Sequence, residues 1–169
     1  MPFRLICLLL TMTMALSLVM AGCGKASEKA AEKAIEDASG GKAQVDLNKD
    51  QIEVKTNEGT FKTGGTYEWP GQIPADVPKF SYGKIIAFTE SSTAQGSSFL
   101  MSIEEVKEDA SDKYKSDLEG AGWQIVMTNR SADGFIISAT KDKQNVVASF
   151  SGKSEKGFSG GITYSEEKQ

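Results

Sequence analysis

The chain has 169 residues, with 19 basic and 23 acidic side chains, no histidine, two cysteines and a formal net charge of −4. That balance makes nucleic acid and anionic membrane surfaces poor electrostatic partners. The lack of histidine excludes Ser-His-Asp and Cys-His catalysis, and so few cysteines leave none of the usual zinc ligand sets.

At the front, Arg4 is the only charge ahead of an uncharged run from Leu5 to Gly22. A retained helix needs roughly 20 apolar residues to cross the hydrocarbon. This run falls at the short end and is diluted by Thr11, Thr13 and Ser17, so length alone leaves a retained anchor and a cleaved signal both open. Met20, Ala21, Gly22 and Cys23 favour cleavage. Small residues before the cut let the backbone enter a signal peptidase, and the thiol offers a nucleophile for acyl transfer.

These four residues resemble a bacterial lipobox, with Met20 in the place usually held by leucine. The resemblance implies a lipoprotein signal peptide over residues 1–22, signal peptidase recognition at Met20, Ala21 and Gly22, and lipidation of Cys23 through a diacylglyceryl thioether, commonly with acylation of its amine, palmitate being a typical chain. Buried acyl chains contribute about 0.8 kcal/mol per methylene, so two or three hold a protein durably at a membrane. An uncleaved anchor and ordinary secretion are the alternatives. Cleavage would remove Cys7 and Arg4, leaving no cysteine pair for a disulfide and a balance one unit more negative.

Residues 23–42 carry the lipidated cysteine and "GKASEKAAEKAIEDASGG", which predicts a helix stopped by Gly40 and Gly41. Its apolar face, Ala30, Ala31, Ala34, Ile35 and Ala38, buries little area. It reads as a solvated spacer, with a helix lying on the domain as the alternative. Residues 43–65 alternate, with Val45, Leu47, Ile52, Val54 and Phe61 separated by "NKD" and "NEG", and predict a small β-meander. In residues 66–82, Pro70, Pro74 and Pro78 predict an extended, solvent-facing course, either a linker into the second unit or an edge segment draped across it, and Trp69, Phe80 and Tyr82 suggest that it packs against something.

Residues 83–169 read as an α+β domain. Strands "KIIAFTE" and "FLMSIEEV" precede a helix over "DASDKYKSDLEGAGW", and "WQIVMTN", "FIISATK", "NVVASF" and "GGITYS" follow, with short turns between them. The expectation is an antiparallel sheet with one docked helix, ββαβββ-like, preceded by the meander and the spacer helix. The lipobox, the "AEKAIEDASGGK" spacer, the "DVPKFSYGKI" entry and the helix ending in "GW" together resemble small Gram-positive-like bacterial lipoproteins with a domain of unknown function. That resemblance implies an address and a fold, and no activity.

Each apparent motif has a plainer reading. Ser81 to Lys84 form S-x-x-K and Lys62 to Gly64 form K-T-G, but in the reverse of the order used by penicillin-interacting enzymes and without S-D-N. "SGKS" at 151–154 lacks the leading glycine of a phosphate loop, since Val147 stands there, and has no helix after it. "DLNKD" aligns Asp46, Asn48 and Asp50 with a calcium loop, yet Gln51 and Asn57 occupy its glycine and glutamate places. Glu104, Glu105, Glu108, Asp109 and Asp112 suit a helix entrance. Tyr67, Trp69 and Tyr82 remain as candidate interaction residues able to stack on sugars or anchor an interface, against the reading that they fill the core.

The sequence therefore predicts a non-catalytic binding or accessory module, lipid-anchored through Cys23 on the extracytoplasmic side of the cell membrane, with no cofactor, metal or nucleic acid and with a protein or envelope component as partner. The alternatives are a structural spacer of the envelope and a hydrolase using carboxylates alone.

Overall fold

The computed structural model describes residues 25–48, 51–65 and 68–168. Met20, Ala21, Gly22, Cys23 and Tyr67 lie outside the described residues. The chain divides into two compact units between Asn57 and Glu58.

The first unit contains helix α1 (Lys25–Ala38) and strands β1 (Ala43–Asn48) and β2 (Gln51–Thr56), paired antiparallel from Ala43↔Thr56 to Asn48↔Gln51. The glycines stop α1 as their position implies: Gly40 and Gly41 take φ of 67° and 73° and donate to the carbonyls of Asp37 and Glu36. The helix is not a free spacer. It lies along β1, where Glu36 accepts from the Val45 amide at 3.0 Å and Glu32 from the Leu47 amide at 2.7 Å. Four helical residues rise about 6 Å and two strand residues about 6.6 Å, so carboxylates at i and i+4 meet alternate strand amides.

The second unit contains β3 (Gly59–Gly64), β4 (Lys84–Thr93), β5 (Gly96–Val106), α2 (Ala110–Gly120), β6 (Gln124–Ser131), β7 (Gly134–Lys141), β8 (Gln144–Ser154) and β9 (Gly157–Glu167). Its strands run β3-β4-β5-β9-β8-β7-β6, every pair antiparallel. The ββαβββ expectation is thereby corrected. The third run of the expected meander pairs with β4 over six positions, from Gly59↔Thr93 to Gly64↔Phe88, and belongs to the large sheet. All four runs named after the helix form strands, and the last returns to lie between β5 and β8. Among the described residues there are nine strands and two short helices, so sheet pairing dominates the fold.

One turn recurs. In "TAQG", "SADG" and "SEKG", the hydroxyl of Thr93, Ser131 or Ser154 accepts from the amide two residues on and donates to the carbonyl three residues on. A side-chain hydroxyl thus fixes three hairpins that share the pattern Ser/Thr-x-x-Gly.

Alternation sends Phe99, Met101 and Ile103 of β5, Ile162 and Tyr164 of β9, Val146, Ala148 and Phe150 of β8, and Phe135, Ile137 and Ala139 of β7 to one buried face. Helix α2 covers that face with Ala110, Tyr114 and Leu118, and ends where Gly122, at φ 82°, and Trp123 donate to the carbonyls of Glu119 and Leu118. The proline-rich segment does not run over the solvent-facing side. Pro70 and Pro74 each open a turn closed by the amides of Ile73 and Val77, and these two side chains are buried with Phe80. Phe80 stacks on Phe150 at 5.1 Å between ring centroids and meets Tyr114 edge-on at 5.0 Å. Spacing the prolines by four is what puts the aliphatic residue of each turn on the same side.

Candidate functional site

Of the sequence-named aromatics, Trp69 and Tyr82 pack against the core on the covered side of the sheet. Trp69 is half-buried against the core. Tyr82 is also half-buried and donates to the Asp117 carboxylate at 2.5 Å, with Phe80 edge-on to its ring at 5.4 Å and the Lys113 ammonium 5.8 Å from its centroid. The Asp117 hydrogen bond, followed by burial, raises the Tyr82 phenol above its ordinary pKa. Both rings are thus engaged within the fold, so neither presents two open faces for stacking.

The acidic stretch around α2 is spent on local pairs. Arg130 meets Asp112 at 2.5 Å, Lys113 meets Asp109 at 2.7 Å and Lys153 meets Glu108. The Glu108 and Asp109 carboxyls are held below the usual carboxylate range by hydrogen bonds from Lys153 and Lys113, respectively. A cleft of about 150 Å³ is lined by Glu108, Arg130, Lys153, Phe135 and Phe158, but its cations already face their own counter-ions. Among the described residues no group of histidine, cysteine or acidic side chains could hold a metal ion.

The other apparent motifs settle into ordinary structure. Ser81 is in the loop before β4 and Lys84 opens that strand, so no helix carries S-x-x-K. Residues 151–154 finish β8, and Asp46 and Asn48 belong to β1.

The sheet face opposite the core stands out instead. Cross-strand register places Phe61, Ser91, Ser98, Ser165, Asn145, Thr140 and Gln124 in one lateral row. The next row is Thr63, Thr89, Leu100, Thr163, Val147, Ser138 and Met127, and the one after it Ala87, Ser102, Gly161, Ser149, Ile136 and Asn129. No residue in the three rows is charged, although a quarter of the chain is Asp, Glu, Lys or Arg. Charges begin where the rows end, at Lys84 and Glu104 on one rim and Glu167 on the other. Leu100 and Met127 are 43% and 46% exposed, and none of the row residues is buried, so the face is open among the described residues.

Sequence reasoning missed this face because it sought motifs along the chain, whereas the rows run across it. The signal was present as the small polar residues alternating with the core positions: Ser98 and Ser102 in β5, Ser138 and Thr140 in β7, Asn145 and Ser149 in β8, Thr163 and Ser165 in β9.

No family model matches the chain, and neither the curated proteins nor the solved structures compared with it include a match. The fold and the site together define an antiparallel sheet protein with one covered face and one open, uncharged face.

Proposed function

We propose that the protein is a lipoprotein anchored through Cys23 on the extracytoplasmic side of the cell membrane, where its folded part acts as a non-catalytic binding module. The observation that carries this reading is "LVMAGCGK" at residues 18–25, with small residues before a cysteine at the end of an uncharged run. The open neutral face provides area for contact, while the acidic residues near α2 are held in ion pairs rather than set opposite one another across a cleft.

The test is metabolic labelling with an alkyne fatty acid in bacteria producing the full chain, followed by fractionation. Labelled protein in the membrane fraction, with label lost and protein released in Cys23→Ala, is the expected result. An unlabelled chain, or a Cys23→Ala protein that keeps both label and membrane association, would rule the anchor out.

A further inference from the structure

We propose that the open face of the large sheet binds an uncharged, hydroxyl-rich polysaccharide strand. This rests on the binding-module reading and names the class of ligand.

Neutrality is the first argument. A face without charge in a chain of net charge −4 neither attracts ionic partners nor pays their desolvation, and it fits a polymer that is neutral itself. Composition is the second. The central positions Ser98, Thr163, Asn145 and Ser138 offer hydroxyls and an amide, each able to donate and to accept, which suits a ligand made of hydroxyl groups. Leu100 and Met127 interrupt them with exposed apolar contacts for the carbon faces of sugar rings.

The same composition argues against a protein surface or a second copy of the face. Serine is depleted at protein interfaces, whose cores are mainly apolar and aromatic. Area points the same way. Strands about 4.8 Å apart and rows about 6.8 Å apart give the three rows a patch of roughly 650 Å². That is below the roughly 800 Å² per partner of a standard stable interface. A long polymer avoids this limit because successive segments meet successive copies of a membrane-held protein and bind by avidity.

The experiment uses the detergent-solubilised full chain, incubated with insoluble cellulose, with chitin and with cellulose sulfate as an anionic control. The intact mass of the same preparation reports acylation at Cys23 separately, so a failed anchor and a failed ligand give different results. Expected is retention on the neutral polymers over the anionic one, reduced at least tenfold in Thr163→Lys, with an unchanged unfolding midpoint. Met127→Lys, at an exposed edge-strand position, keeps the test decisive if Thr163→Lys does not fold. No retention on either neutral polymer overturns the proposal, as does retention that Met127→Lys and Thr163→Lys leave unchanged. Sedimentation showing a dimer that Met127→Lys dissolves would also overturn it, assigning the face to a second copy.

Discussion

Lys141 and Asp76 lie 65 residues apart in sequence and 2.9 Å apart in the fold, and their contact ties the proline-rich segment to the end of β7. The same ammonium donates to the Ala121 carbonyl at the end of α2, at 3.1 Å, and the Trp123 indole donates to the Asp76 carbonyl at 2.9 Å. Loop, helix end and sheet therefore meet at one residue. The Asp76 side chain is 41% exposed, so solvent screens the ion pair and limits its worth. Asp76→Ala is expected to destabilise by about 0.5–1 kcal/mol, and Trp123→Phe by about 1 kcal/mol through the lost indole bond. Because both act on one loop, the double variant should cost a different amount from the sum of the singles. Urea unfolding of the three variants measures this, and strict additivity would count against the junction.

Phe80→Ala tests how much the proline-rich segment contributes to the core. Its ring is 3% exposed and lies between the sheet and the helix, in contact with Phe150 and Tyr114. Truncation is expected to destabilise by about 3–5 kcal/mol, as for other buried aromatic residues. The midpoint of urea unfolding should fall accordingly. A change below about 1 kcal/mol would mean that the segment drapes over the sheet without filling it.

The buried phenols predict an alkaline limit to stability. Burial raises the Tyr114 hydroxyl well above the ordinary tyrosine range, and the nearby Asp117 charge adds to this. The native state thus keeps a proton that the unfolded state gives up above about pH 10. Stability is complete below that pH and falls as pH rises toward the folded pKa, because ionisation favours the unfolded chain. Tyr114→Phe should flatten this decline between pH 9 and 11, about the unperturbed tyrosine pKa, in unfolding midpoints measured across the range. It also removes the 3.3 Å hydrogen bond to the Pro78 carbonyl, so its midpoint at neutral pH serves as the reference.

Legibility followed the range of the physics. Alternation announced the strands, and glycines at 40, 41 and 122 announced the helix ends, because both signals are local. The pairing of β3 with β4 was hidden, since nothing in "GTFKTG" names a partner strand that lies beyond the proline-rich segment. The path of the proline-rich segment was hidden as well. Its prolines exclude helix, but only the depth of Phe80 shows that the segment is an inner layer rather than a linker. The neutral face was legible one residue at a time and invisible as a surface, because its rows cross seven strands from separate parts of the chain.

Helix α1 offers a last test, since composition made it a spacer and hydrogen bonds make it a cover. Of its apolar face only Ala31 and Ile35 are half-buried, too little to hold it on β1 by burial, so the Glu32 and Glu36 carboxylates must contribute. Each accepts a hydrogen bond from a strand amide, an interaction of about 1.5–3 kcal/mol when fully shielded and less at this half-buried site. The double variant Glu32→Gln, Glu36→Gln retains acceptors but loses the charge, whereas Glu32→Ala, Glu36→Ala loses both. Hydrogen exchange at the Val45 and Leu47 amides should therefore quicken modestly in the first and by about tenfold or more in the second, the equivalent of ~1.4 kcal/mol. Amides of β8 and β9, in the other unit, serve as internal controls and should keep their protection. If Val45 and Leu47 exchange as slowly in the alanine variant as in the parent, the carboxylates do not hold the helix, and the spacer reading of residues 23–42 regains its place.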